Sequence, residues 1–311
     1  MKIAIDAMGG DNAPGEIVRG CIEASGSWDE EIILIGNEDL VRRELLKAGY
    51  SGKRIQVIHA PGAITGEDKP VSAIKNKKDS SMVCGLRMLK EKEADVFISA
   101  GNTGALMAGA LLIVGRIKGI SRPALAPVLP AYKNGVLLID AGSNADCRPH
   151  NLLQFAIMGS IYMENVMGID RPAVGLINIG SEENKGNELT RKAYNLLKKS
   201  GLNFKGNVEA RDIPWNKVDV AVCEGFVGNV VLKLIEGSGE VLMEMLKNEI
   251  STGGLHVKLG ALAMRQAFKK FKKRVEYDSY GGGLLLGING AVIKSHGSYK
   301  GKTISSAIRQ A

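Results

Sequence analysis

The sequence predicts an α/β fold: a mostly parallel sheet with helices on both faces. Two observations carry that prediction. Short apolar, β-branched runs alternate with longer segments whose apolar residues recur at i, i+3, i+4 and i+7, and the junctions from the first kind to the second are rich in Gly and Asn. In chain order, strands are expected at "KIAID" (2–6), "IILIG" (32–36), "RIQVIH" (54–59), "ADVFISA" (94–100), "GVLLIDA" (135–141), "AVGLINIG" (173–180), "DVAVC" (219–223) and "AVIKS" (291–295). Helices are expected at "SSMVCGLRMLKEKE" (80–93), "NLLQFAIMGSIYMENV" (151–166) and "NELTRKAYNLLKKSG" (187–201). No Pro- or Ser-rich linker divides the chain and no fixed-period repeat runs through it. Residues 1–311 therefore read as a single α/β unit, with a two-lobed version left open.

Composition narrows the function classes. The formal net charge is +8, yet the window "GLHVKLGALAMRQAFKKFKKRV" (254–275) holds seven Lys or Arg and no acid, so subtracting the seven from +8 leaves +1 for the rest. A basic balance confined to one segment, in a chain with only 5% aromatic residues, argues against a nucleic-acid partner. The start "MKIAIDAMGGDNAPG" is too short and too polar for a secretory signal, and no run of about twenty apolar residues is present to span a bilayer. Cys21, Cys84, Cys147 and Cys223 are scattered without CxxC pairing, which fits a reducing cytoplasm.

The loops after the strands carry the chemistry. "AGNTGAL" follows "FIS", "AGSNADCRPHN" follows "LLID", "IGSEENKGNEL" follows "LIN", and "EGFVGNVV" follows "AVC". In open parallel sheets such loops gather at the carboxyl edge, where helix N-termini offer free N–H groups and Gly lets the backbone approach an anion. Repetition of the pattern beside Asn102, Asn144, Asn187 and Asn229 points to an anion-binding floor.

Other chemistries fail on spacing. No GxGxxG follows a strand, so a nicotinamide dinucleotide site is not expected. "HGSYKGKT" ends like a phosphate loop, but its leading Gly sits one residue too close to the Lys. Four dispersed His residues do not make a metal site, and neither Cys147 nor Cys223 has a basic neighbour at a spacing that establishes a thiolate. No metal and no cofactor are expected.

Read together, "IDAMGGDNAP" (5–14), "ISAGNTGAL" (98–106), "GRIKGISRPALAP" (115–127), "LLQFAIMGSIY" (152–162), "ENKGNEL" (183–189), "GNVEARDI" (206–213), "GFVGNVVLK" (225–233) and "VIKSHGS" (292–298) closely resemble the bacterial phosphate acyltransferase family called PlsX. The match is collinear from the first strand to the last helix. Departures fall in "GSNADCRPHN", at Ser143, Ala145 and His150, and at Ser181 of the next loop. The resemblance implies transfer of a fatty acyl group from acyl-acyl carrier protein to inorganic phosphate, giving acyl phosphate for phospholipid synthesis. It also implies a three-layer, Rossmann-like sheet similar to isocitrate and isopropylmalate dehydrogenases, with a helical excursion near 236–275. A homodimer in the cytoplasm, peripherally associated with the inner face of the membrane, completes the expectation. A short-chain phosphotransacetylase acting on acetyl-CoA and a non-catalytic carrier- or membrane-binding module are the alternatives.

Within that resemblance, Lys185, Arg148 and the amides of Gly101–Thr103 are expected to hold phosphate, with Asn102, Asn187 or Asn229 donating to the thioester carbonyl. Asp6, Gly9, Gly10, Asp11, Gly104, Asn144 and His296 complete the expected substrate-binding set. In the basic window, Val257, Ala261, Met264, Phe268, Phe271 and Val275 share one stripe at 100° per residue, Leu255, Leu259 and Leu262 form a second patch, and Gly260 is the expected break between two short helices. Met264, Arg265, Phe268, Lys269, Lys270, Phe271, Lys272 and Lys273 are the expected surface for anionic lipid or for the acidic carrier protein, against the plainer reading of a solvated surface helix.

Overall fold

Each of the apolar runs forms a strand. In chain order the strands are β1 (Lys2–Asp6), β2 (Glu31–Gly36), β3 (Ile55–His59), β4 (Val96–Ser99), β5 (Ala124–Ala126), β6 (Val128–Leu129), β7 (Val136–Ile139), β8 (Val174–Ile177), β9 (Phe204–Val208), β10 (Val220–Val222), β11 (Gly283–Leu286) and β12 (Ala291–Lys294). The α-helices are α1 (Gly15–Ser25), α2 (Glu38–Lys47), α3 (Pro70–Asn76), α4 (Ser81–Lys90), α5 (Thr103–Gly109), α6 (Pro149–Asn165), α7 (Glu188–Lys198), α8 (Gly225–Thr252), α9 (Leu255–Ala263), α10 (Arg265–Val275) and α11 (Gly301–Gln310). The computed structural model describes residues 1–275, 282–295 and 301–311, the side chains of 272–275 excepted.

A mostly parallel sheet in a single unit was expected, with a two-lobed version left open, and the strands form two sheets. The first runs β3-β2-β1-β4-β12-β11-β5 and the second β6-β7-β10-β8-β9. Both are parallel at their centres, with β11 antiparallel to both of its neighbours, β12 and β5, in the first and β6 antiparallel to β7 in the second. Pro127 is the physical reason for the division at this point. It has no N–H for a ladder, so the extended run 124–129 breaks there, β5 pairing with β11 and β6 with β7. Two units result: Met1–Pro127 with Tyr280–Ala311, and Val128–Ser279.

In the first unit, Ile3, Ile5, Ile32, Leu34, Val96, Ile98 and Ile293 form a core with the apolar faces of α1 and α11. Those helices touch backbone to backbone, since a Cβ on Gly20 would stand 2.3 Å from the Gly301 carbonyl oxygen. In the second unit, β7, β8 and β10 are fully buried, as near-continuous apolar runs covered on both faces should be. Asn37, Ser80, Asn102, Asn187 and Glu224 each accept a first-turn N–H at the head of α2, α4, α5, α7 and α8, which fixes where those helices begin.

The helical excursion expected near 236–275 consists of the remainder of α8 past Glu236 with α9 and α10. α8 runs unbroken from Gly225 through Gly237 and Gly239 to Thr252, burying only its first three turns, at Gly225, Gly228, Val231, Leu232 and Glu236. Gly260 does not break the chain. It lies inside α9, where no described residue would meet a Cβ, and the turn falls at Met264. Interior Gly costs a helix about 1 kcal/mol and does not by itself end one.

Candidate functional site

The sheets decide which loops meet. β1, β4 and β12 are adjacent and parallel in the first unit, so the loops leaving Asp6, Ser99 and Lys294 share one carboxyl edge. β7, β10 and β8 are adjacent and parallel in the second, which sets the start of α8, with Asn229, between the loop of Arg148 and the loop of Lys185.

Asp6 organises the first edge. It is buried, accepts a hydrogen bond from Ser81 Oγ at 2.5 Å and one from Ser99 Oγ at 2.8 Å, and its Oδ1 also accepts the Met8 N–H at 3.2 Å. Burial pushes its carboxyl above the usual range, against the opposing pull of the two serine hydroxyls, the Met8 N–H and the Lys294 charge. Ser99 Oγ in turn accepts the Gly101 N–H at 3.0 Å. Gly9 fits where no side chain would, since a Cβ there would meet Asp6 Oδ2 at 2.5 Å and the Gly101 nitrogen at 2.8 Å. Asp6 is thus placed to orient the two glycine loops. Gly10 has φ +105, a conformation that glycine adopts freely, and Asp11 beyond it is exposed.

Asn102 is used at both ends. Its Oδ1 accepts the Ala105 N–H at 3.0 Å, and its Nδ2 donates to the carbonyls of Thr65, Gly66 and Asp68 at 3.1, 3.3 and 3.3 Å. The expected carbonyl donor is therefore a helix cap that ties down the 65–68 loop. The Gly101 N–H is likewise taken by Ser99, whereas Thr103 and Gly104 are exposed in the first turn of α5, where helical N–H groups have no intrahelical partner. His296 lies outside the described residues. Its neighbour Lys294, passed over in the sequence, reaches the Ala100 and Ser295 carbonyls at 3.1 and 2.6 Å.

In the second unit Asp140 does what Asp6 does in the first. Fully buried at the end of β7, it accepts the Gly142 N–H (3.3 Å), the Ser143 N–H (3.1 Å) and the Asn144 N–H (2.7 Å), together with Asn144 Nδ2 at 2.9 Å. Asn144, an expected substrate contact, is buried and braces the loop through Asp140. The sequence carried a signal for this in the matching "IDAMGG" and "IDAGSN", where each buried Asp closes a strand ahead of a glycine loop.

Arg148 stands exposed at the head of α6, its N–H donating to Asn151 Oδ1 at 2.8 Å. Lys185 is also exposed, and among the described residues its ion pair is to Glu182 at 3.9 Å. Its loop is held by Asn178 Nδ2 on the Lys185 carbonyl (3.1 Å), Asn207 Nδ2 on the Glu182 carbonyl (2.7 Å) and Arg191 Nη1 on the Gly186 carbonyl (3.0 Å). Asn187 caps α7 through Oδ1, leaving its amide group as the end that can donate outward. Asn229 is exposed in the second turn of α8 beside Gly142. Cys223 is buried, and burial drives its thiol well above the ordinary value, which removes it as a nucleophile.

The basic window lies on the surface. α9 has no buried residue, Leu255, Leu259, Leu262, Met264 and Phe271 are exposed, and Val257, Ala261 and Phe268 are half-buried. Arg265, Lys269 and Lys270 are exposed, while the side chains of Lys272 and Lys273 lie outside those described. Among the described residues no cluster suits a metal ion, and no helix is long and apolar enough to cross a membrane.

Two solved structures share this arrangement of strands and helices. A phosphotransacetylase from Streptococcus pyogenes matches with a TM-score of 0.64 at 16% identity, over 99% of this chain and 92% of that one. A branched-chain phosphotransacylase from Enterococcus faecalis matches with a TM-score of 0.61 at 12% identity, over 100% of this chain and 97% of that one. The fold is therefore a phosphotransacetylase-like α/β fold. A family model described as fatty acid synthesis protein matches residues 1–311. The phosphate acyltransferase of Alkaliphilus oremlandii is 55% identical over 311 residues, 100% of this chain and 92% of that protein. That of Thermoanaerobacterium thermosaccharolyticum is 53% identical over the same shares of both. The chain belongs to the fatty acid synthesis protein family.

Proposed function

We propose that this chain is a phosphate acyltransferase, taking a fatty acyl group from acyl carrier protein and giving acyl phosphate for phospholipid synthesis. The observation that carries the reading is full-length identity above half with proteins of that name, together with Lys185, Arg148 and Asn229 at three adjoining strand ends. The chemistry suits such a site. Phosphate has a second ionisation near pKa ~6–7, so its dianion needs no strong base. A thiol of pKa about 8.5 leaves readily as thiolate. A phosphate oxygen forms a bond to the thioester carbon, the C–S bond breaks, and the phosphate's proton ends on the thiol. What the protein supplies is position and charge. Lys185 and Arg148 hold the phosphate, and Asn229, with the Asn187 amide, donates to the carbonyl oxygen as it becomes negative. The first-turn N–H groups of Thr103 and Gly104, set by Asp6 through Ser99, provide a further anion contact in the first unit.

Residues 255–275 are the peripheral membrane contact in this reading. Exposed Leu259, Leu262, Met264 and Phe271 beside exposed Arg265, Lys269 and Lys270 support it, since apolar residues that enter the headgroup boundary gain from nearby cations over anionic lipid. The enzyme then works as a homodimer at the inner face of the membrane, where its product is consumed. The decisive experiment offers long-chain acyl-carrier protein with and without phosphate, and acetyl-CoA as a comparison, and follows thiol release. Release from the long-chain carrier that requires phosphate is expected. Phosphate-independent release, or turnover of acetyl-CoA alone, sinks the reading.

A further inference from the structure

Asp140 links two pieces of the second-unit site. Its carboxylate gathers the amides of Gly142, Ser143 and Asn144 with the Asn144 side chain, and Asn144 then offers its own carbonyl to the Gly225 N–H at 2.8 Å. Gly225 opens α8, the helix that carries Asn229. The backbone of Asp140 makes the same link a second way: a Cβ on Gly228 would clash with its carbonyl oxygen, and its N–H donates to the Cys223 carbonyl at 3.0 Å. On the other side, a Cβ on Gly142 would lie 3.5 Å from Asn229 Oδ1. The loop leading to Arg148 and the turn presenting Asn229 thus hang from one residue.

We infer that Asp140 is a positioning residue for the transfer, setting Asn229 against the loop 142–148. The inference rests on the acyl-transfer reading above. Both Asp140 oxygens accept N–H groups here, whereas an amide of the same shape would turn N–H groups toward N–H groups. Asp140→Asn therefore preserves volume and loosens the register. A misplacement of about 1 Å in such a site costs about a hundredfold in rate.

The test is a cycle of wild type, Asp140→Asn, Asn229→Ala and the double variant, measured as phosphate-dependent thiol release from acyl-carrier protein. Asp140→Asn should lower kcat by about tenfold to a hundredfold, with KM for the carrier substrate changed less than about twofold. In the Asn229→Ala background the same substitution should lower kcat by less than about twofold, because the group it positions is gone. Equal losses in both backgrounds mean a merely structural residue and overturn the inference. Should circular dichroism show Asp140→Asn to be unfolded, Asn144→Ala takes its place in the cycle under the same criterion. An inactive wild type overturns both readings, whereas an active wild type with equal losses overturns this one alone.

Discussion

A Cβ built on Gly228 stands 1.8 Å from the carbonyl oxygen of Asp140, so the first turn of α8 rests directly on the end of β7. The obstructing atom is backbone and has no rotamer to yield with. Gly228→Ala should lower stability by about 1–3 kcal/mol, read as a lower urea midpoint, and should lower turnover with it. Gly237→Ala is the contrast on the same helix. Among the described residues nothing lies within 4 Å of a Cβ there, and replacing an exposed interior Gly should raise stability by about 0.5–1 kcal/mol. Similar responses from the two variants would contradict the packing described.

Lys185 tests the site without the fold. Its side chain is half exposed and its ion pair to Glu182 is long, so little folding energy depends on it. Lys185→Ala should leave the thermal midpoint within about 2 °C of wild type, as surface substitutions generally do. Turnover should fall by about a hundredfold, the loss expected when one preorganised charge partner is removed. Near-normal turnover at saturating phosphate would remove Lys185 from the phosphate site.

Asp6 makes a signed prediction about pH. Burial raises its folded pKa above the ordinary value of 3.8. The folded state therefore binds the proton more tightly than the unfolded one. Its contribution to stability is fully present below 3.8 and is lost as pH rises through the folded pKa. Asp6→Asn cannot titrate, so its stability relative to wild type should climb as pH rises through that window. Urea denaturation of both proteins from pH 3.5 to 7.5 measures the difference; a difference that stays flat with pH would contradict the assignment.

The strands were legible because buried parallel strands are short, apolar and β-branched, as "VLLI" of β7 shows. β9 was not, since "FKGNV" mixes an exposed Lys205 with Gly206 at φ +94 and carries no clean alternation. Pro127 stood in plain view, but only the pairing of β5 with β11 and of β6 with β7 reveals that it divides two sheets. In the site, the Asn pattern located the right loops and left the atoms undecided. An Asn ahead of a helix reads equally as cap or as ligand, and at Asn102 and Asn187 the Oδ1 proved to be a cap. Asp140 escaped notice because its partners include a helix start far along the chain, a relation no local spacing encodes.

The basic window gives the last prediction. Exposed Met264 and Phe271 next to exposed Lys269 and Lys270 form a surface with apolar depth and positive charge together. Each Lys near anionic lipid contributes about 1 kcal/mol, so replacing Lys269, Lys270, Lys272 and Lys273 with Glu removes at least about 4 kcal/mol, roughly a thousandfold in partitioning. Co-sedimentation with anionic vesicles should be lost, while a salt titration of the wild type should show graded release as screening grows. Phosphate-dependent turnover of soluble acyl-carrier protein separates the two partners proposed for this charge. If only lipid uses it, turnover stays close to wild type; if the acidic carrier docks there, KM for the carrier rises with kcat little changed. Undiminished sedimentation of the four-fold variant would exclude the membrane contact.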